Sequence, residues 1–422
     1  MSHKVVVTGL GFICPIGNDQ ATVVESLRQL RHGLSVYSRF EQPDIPVRLA
    51  GLVKDFDAES QDPEDWTFPS IYKIKRDVLR GFSPHVLFAY CALVQALADA
   101  RLTLGEVSNI DTGLFTGSAG SPSMQHYNLA RMKSHGVARS APLGIVASIA
   151  GTLSFNLVSA FKILGSSCGF VSACATSGHA LGFAWEEVAA GRQKRMLVVA
   201  GEDGNLECLL PFAAMRALSL SRDPTTASRP FDRDRDGFVG AGGGCAMVIE
   251  SAEEAARRGA MVYCEMPGWG QAADGFNVAI SHPEGSGLVH AMRLALRRSG
   301  VQPADVDYIN AHATSTPIGD TSEIRALKAV FGANGEHGRP AISSTKALTG
   351  HSLSMASILE AGICALAIKH GFTPGSAHIQ NLDPEAEGLN IPRVTLEQRP
   401  NLVLSNSSGF GGANVALMFR GV

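Results

Sequence analysis

Short runs of Val, Ile and Leu alternate along the chain with longer stretches in which apolar residues recur every three or four positions. The short runs are Val5 to Thr8, Gly113 to Thr116, Met196 to Ala200, Cys245 to Glu250, Tyr308 to Ala311 and Leu402 to Leu404, and each predicts a strand. After Phe82, Ser83 offers an N-cap, Pro84 suits a first helical turn, and Leu87, Cys91, Val94 and Ala98 fall on one face. That pattern predicts a helix packed on a sheet, and the alternation as a whole predicts α/β layers.

The pattern also repeats with a period near half the chain. Gly165 to Gly191 reads as strand, sharp turn with Cys174-Ala-Thr-Ser-Gly178-His179, then helix, and Ala341 to Gly371 reads as strand, Lys346-Ala-Leu-Thr-Gly350-His351, then helix. Each is followed by a strand ending in a polar, Gly-containing loop, Leu197 to Gly204 and Leu402 to Gly409. Thr112 to Ser118 corresponds in the same way to Asp307 to Thr314. Duplicated halves bring strand-end loops side by side, where ligands of open α/β sheets bind. The predicted halves are 1–255 and 256–422, meeting at the polar helical stretch Ser251 to Gly259.

Composition narrows the class. The 422 residues are 45% hydrophobic and 18% charged, enough for a large core and too apolar for disorder. A formal charge of -3 supplies no global field for nucleic acid or an anionic membrane. Eight scattered Cys, with no CxxC pair or Cys/His metal cluster, predict a reduced, cytoplasmic protein. The start, Met1-Ser2-His3-Lys4 before Val5-Val6-Val7-Thr8-Gly9, reads as a strand and turn rather than a signal peptide. The apolar stretch Leu143 to Phe161 carries too many Ser, Thr and Asn for a membrane span and predicts a buried helix at a subunit contact.

Cys174 follows the strand-like Gly169 to Ala173 and opens a helix, so its sulfur is predicted at a helix N-terminus, where the dipole favours thiolate and free amides stabilise an oxyanion. A buried structural thiol is the alternative, and a partner decides between them. Three polar stretches of the second half offer partners: Asn310 to Thr316 with His312, Ser344 to His351 with Lys346, and Asn406 to Gly412. Two histidines beside one thiol suit acyl transfer.

Competing motifs fail on their own terms. Gly9-Leu-Gly11-Phe-Ile-Cys14 lacks the last small residue of a dinucleotide fingerprint and reads as a strand-end turn. Asp232-Arg-Asp234-Arg-Asp236-Gly237 opens like a calcium loop, but its twelfth position is Gly243 where a bidentate Glu belongs. Lys73 to Arg80 is locally basic.

Five motifs together, Ser172-Ala-Cys174-Ala-Thr-Ser-Gly178-His179, Arg229 to Phe238, His312-Ala-Thr314-Ser-Thr316-Pro-Ile-Gly-Asp320, Lys346 to His351 and Ser405 to Asn414, resemble the β-ketoacyl-acyl-carrier-protein synthases, in order and across the whole chain. The resemblance is to the type I and II elongating enzymes. It implies a thiolase-like fold, two duplicated βαβαβαββ halves in a five-layered αβαβα arrangement, and a homodimer, with a heterodimer beside a related subunit as the other arrangement.

By the same resemblance Cys174 accepts the acyl group, and His312 and His351 stabilise the enolate formed when malonyl-carrier protein loses carbon dioxide. Lys346 supports the site electrostatically and Glu323 stands behind it. The amides of Cys174 and Phe410 form the oxyanion hole, Phe410 gates the acyl pocket, and Thr314 and Thr316 bind the pantetheine arm. No metal or organic cofactor is implied, and the partner is an acyl carrier protein, acyl- or malonyl-loaded. Such carriers are acidic, which makes Lys73 to Arg80 and Arg216 candidate docking residues. The reaction implied is decarboxylative Claisen condensation in fatty-acid or related polyketide or polyene synthesis; the alternative is a non-catalytic chain-length subunit. The chain departs from the family pattern at Ala313, Ser354 to Ser357, Ser408 and Ile280, which predicts altered packing under the site and a reshaped acyl pocket.

Overall fold

The computed structural model describes residues 3–422 except 335 and 338; Met1 and Ser2, at the head of the run read as strand and turn, lie outside the described residues. Ten strands carry the fold. The first half contributes β1 (Val5–Ile13), β2 (Thr112–Gly117), β3 (Ser167–Phe170), β4 (Arg195–Glu202) and β5 (Gly243–Ser251). The second contributes β6 (Cys264–Ala273), β7 (Tyr308–Asn310), β8 (Ala341–Ser343), β9 (Leu402–Gly409) and β10 (Ala413–Arg420). The longer helices are α1 (Pro84–Asp99), α2 (Pro122–His135), α3 (Thr152–Phe161), α4 (Thr176–Ala189), α5 (Ser286–Ser299), α6 (Pro317–Phe331) and α7 (Ala356–His370).

Strand order is β3-β2-β4-β5-β1 in the first half and β8-β7-β9-β10-β6 in the second, the same order twice. In each, the first three strands are parallel and the fourth runs antiparallel to both neighbours. The halves join edge to edge through an antiparallel pairing of β1 with β6, Val5 opposite Met266.

Strand periodicity separates three cores. In β4, Met196, Val198 and Ala200 face one core and Leu197 and Val199 another; in β10, Val415, Leu417 and Phe419 alternate with Ala416 and Met418. The middle core holds α4 and α7 between the two sheet halves, α1 and α3 cover the outer face of the first half, and α5 and α6 cover that of the second. These are the five layers. Helix α7 lies between layers, which explains why Ala356 to Ile368 is buried on every side. Residues Leu353–His370 have the length and apolarity of a membrane span and are 89% buried inside the protein.

Several sequence expectations change. Gly9 and Gly11 lie inside β1 rather than at its end: a Cβ there would sit 2.4 Å from Ala96 O and 1.9 Å from Ala92 O, so the glycines let α1 lie directly on the strand. Ser83 precedes α1 but makes no capping bond; its hydroxyl meets Nδ1 of His85 at 3.2 Å. The stretch Leu143 to Phe161 is helical only from Thr152, and Leu143, Ile145, Ile149 and Phe155 are exposed rather than buried. Asp232 spends its carboxylate on the amides of Asp234, Gln380 and Asn381, and Arg235 pairs with Asp383 and Asp320, so this motif ties the two halves together.

Candidate functional site

The turn between β3 and α4 carries Cys174. Ala173 is held at φ +50°, a left-handed residue that turns the chain sharply, and Thr176 Oγ1 accepts from Ser172 N at 2.7 Å. The Ser357 hydroxyl donates to the Cys174 carbonyl at 3.2 Å, anchoring the turn on α7. Ser354 donates through both its amide and its hydroxyl to Glu202 Oε2, at 3.1 and 2.6 Å. Of these two positions Ser357 bonds the turn itself, and Ser354 bonds the end of β4.

From the second half, β7 runs into His312 and Thr314, and the turn after β8 carries Lys346 and His351. His351 Nε2 lies 3.0 Å from Cys174 Sγ, and the rings of His312 and His351 meet edge to face with centroids 5.3 Å apart. Cys174, His312 and His351 thus bring one donor atom each within 4.8 Å of the others. That close set could also hold a soft metal ion; the hydrogen-bonded thiol and imidazole fit acyl chemistry without one.

Behind these groups, Lys346 Nζ reaches His312 Nδ1 at 3.3 Å and pairs with buried Glu360. An amine N–H donates to Nδ1, so the ring proton of a neutral His312 sits on Nε2. Burial, with the Lys346 charge, holds both histidines well below the usual imidazole range, so both are neutral. Glu323 Oε1 accepts from His312 N at 2.8 Å and Asn406 Nδ2 at 2.6 Å. Burial raises the Glu323 and Glu360 carboxyls to about 7.

The helix-dipole expectation for Cys174 needs correcting. Burial pushes its thiol up to about 12 despite the opposing Lys346 charge, so the resting group is a neutral thiol.

The site opens into a cavity of about 440 Å³ that the other candidates line: Thr314, Thr316, Phe410, Glu323 and Arg216, with the departures Ala313, Ile280 and Ser408. The Thr314 and Thr316 hydroxyls are 3.1 Å apart. Gly409 runs against the Cys174 turn, where a Cβ would stand 3.1 Å from Cys174 N, and this brings the Phe410 loop beside that amide. Sequence reasoning missed Glu360, Phe212 and Asp274, and gave no cavity role to Phe238 and Asn414, which close two of the five motifs. Glu360 had a signal, a lone acid in the otherwise apolar run 356–368; the others are ordinary residues placed by the fold.

Lys73 to Arg80 stands apart from this cavity's lining, and Arg76 and Arg80 both pair with Glu64. Arg216, at the cavity, makes no ion pair among the described residues.

Residues 2–255 match the family model for the β-ketoacyl synthase N-terminal domain and residues 263–380 that for its C-terminal domain. The chain is 38% identical over 422 residues to the 3-oxoacyl-[acyl-carrier-protein] synthase 1 of Escherichia coli strain K12, covering 99% of this chain and 98% of that one. A β-ketoacyl synthase structure from Burkholderia phymatum superposes with a TM-score of 0.90 at 28% identity over the whole of both chains. A type II polyketide ketosynthase solved with its acyl-carrier protein superposes at 0.87 and 25% identity, again over both whole chains. The chain belongs to the β-ketoacyl synthase family, of thiolase-like fold. It is an acyltransferase that forms carbon–carbon bonds.

Proposed function

We propose that Cys174 takes an acyl group from an acyl carrier protein and extends it with malonyl-carrier protein, in fatty-acid or related polyketide or polyene synthesis. The observation that carries this is the 3.0 Å contact of His351 Nε2 with Cys174 Sγ inside a cavity that also holds His312. As the sulfur adds to the thioester carbonyl, His351 takes its proton and returns it to the departing pantetheine sulfur. The carbonyl oxygen accepts from the Cys174 and Phe410 amides.

Malonyl-carrier protein then enters and the bond to its carboxylate breaks, releasing carbon dioxide. The electron pair moves onto the thioester oxygen, to which His312 Nε2–H donates. The resulting carbanion attacks the acyl carbon on Cys174; the new carbon–carbon bond forms as the sulfur leaves and takes up a proton. Thr314 and Thr316 hold the pantetheine arm, and the Phe410 side chain gates the cavity from a loop that continues into the positive-φ Gly411 and Gly412. Arg216 is the docking residue this geometry favours for an acidic carrier.

The same reading assigns 1–255 and 256–422 as the two halves and a cytoplasmic setting. It also places a second copy along β3, an edge strand whose residues 167–169 are exposed beside exposed Ile149, Phe155, Leu164 and Val171. The test is condensation: acyl- and malonyl-carrier protein with the enzyme give the β-ketoacyl product and carbon dioxide, and His312→Ala abolishes both. Product from His312→Ala at the wild-type rate overturns the assignment.

A further inference from the structure

Two features of the cavity go beyond the chemistry just described. The first is a ladder of rings. Phe410 lies 6.1 Å from Phe212, Phe212 is 5.5 Å from Phe238, and Phe238 is 5.2 Å from the His351 ring, which itself meets His312. All of these side chains line the cavity, and the ladder ends at His351, whose Nε2 lies 3.0 Å from Cys174 Sγ. The second is the wall the C-terminal half adds, in which the small Ala313, Ser408 and Gly412 stand among the larger Ile280, Leu288 and Ile318.

Ser408 is more than a small residue. Its hydroxyl donates to Asn414 Oδ1 at 2.7 Å, Asn414 Nδ2 donates to Asp274 Oδ1 at 2.8 Å, and Asp274 Oδ2 accepts from His282 N at 3.1 Å. Backbone bonds reinforce the chain, from Asp274 N to Gly412 O at 2.9 Å and from Gly411 N to Val278 O at 2.7 Å. At Gly287 of α5 a Cβ would stand 2.2 Å from Asp274 Oδ1 and 2.6 Å from Asn414 Nδ2, so the chain is closed against that helix. The Phe410 loop is thereby fixed to the 274–282 loop, and Ser408 is its cavity-side link.

Resting on the ketosynthase reading above, we propose that the cavity selects a planar, conjugated acyl group, aryl or polyenoyl, and that Ser408 is the specificity-determining residue that admits it. A flat π-system gains edge-to-face contact with the ring ladder that a saturated chain cannot make. The small side chain at 408 leaves the width a ring needs, and its bond to Asn414 keeps the loop from collapsing into that space.

The test is the rate of Cys174 acylation, read by intact mass, with cinnamoyl- and hexanoyl-pantetheine. The wild type is expected to favour cinnamoyl at least 10-fold in kcat/KM. Ser408→Phe removes the latch as Ser408→Ala does and also fills the room, so relative to Ser408→Ala it should lose cinnamoyl transfer at least 10-fold while keeping hexanoyl transfer within 3-fold, which also shows that it folds; Ser408→Leu serves if it does not. Ser408→Ala should keep the preference and raise KM for both thioesters alike, since it removes the latch and not the room. Equal rates for the two thioesters in the wild type, or a loss from Ser408→Ala to Ser408→Phe shared by both, overturns the proposal. No acylation by either thioester or by any acyl-carrier protein instead overturns the ketosynthase reading beneath it.

Discussion

Lys346 Nζ lies 3.3 Å from His312 Nδ1 and in an ion pair with Glu360, so a single buried amine joins α7 to the imidazole that faces the cavity. The contact fixes which nitrogen of His312 carries the proton, and removing the amine frees that choice. Lys346→Met is expected to slow malonyl decarboxylation about 100-fold, the scale of one lost preorganised donor. Because it leaves Glu360 buried and unpaired, it should also cost about 3–5 kcal/mol. Lys346→Met with Glu360→Gln recovers most of that stability without recovering the rate, as thermal unfolding and carbon dioxide release will show. Recovery of both together would mean the amine acts only on folding.

The Cys174 thiol titrates well above neutrality. Its alkylation by iodoacetamide should therefore rise with pH across the whole range from 6 to 10, with no plateau near 7 or 8. In Lys346→Met the thiol loses its one favourable charge and should react more slowly at every pH. A plateau below pH 8 in the wild type would place a thiolate in the resting site.

Burial raises the Glu323 carboxyl from 4.5 to about 7. Between those values the folded chain holds a proton that the unfolded chain has released, so stability falls as pH rises through this window. The full span corresponds to about 3 kcal/mol. Glu323→Gln keeps an acceptor for the His312 amide and should flatten this part of the pH dependence of unfolding. An unchanged slope in the variant would assign the effect to Glu360, the other carboxyl raised to about 7.

The Ser354 hydroxyl and amide both serve the buried carboxylate of Glu202, whose other oxygen accepts from Cys208 Sγ. Ser354→Ala should cost about 1–3 kcal/mol through the lost donor, seen as a lower denaturant midpoint with an unchanged slope. Ser354→Ala combined with Glu202→Gln should cost less than the sum, since a neutral amide needs the donor less. Strict additivity would show that the two residues do not act together.

Much of this architecture could be read from the pattern of the chain, and the reasons differ by element. The internal repeat was legible because β4 and β9 carry similar polar, Gly-containing segments, although the structure keeps Asn406 to Gly409 within β9 where the pattern reads a loop, and the same strand order in both halves is its structural expression. Cys174, His312, Lys346 and His351 stood out as polar groups in small-residue loops after strands. The continuation of β1 through Gly9 and Gly11 was hidden, because glycine marks a turn in sequence and here marks the close approach of α1. The raised Cys174 thiol was equally hidden: a helix N-terminus is visible in sequence, whereas the burial that raises the thiol comes from the folding of both halves. Asn414 and Asp274 lie 140 positions apart and meet only because β10 pairs with β6.

The central claim is that Cys174 carries the acyl group. Incubation with a panel of acyl-carrier proteins, followed by intact-mass measurement of the wild type and Cys174→Ala, tests it most directly. The account predicts a mass increase of one acyl group on the wild type and none on the variant. An unchanged wild-type mass with every acyl-carrier protein, or an adduct that persists in Cys174→Ala, would contradict it.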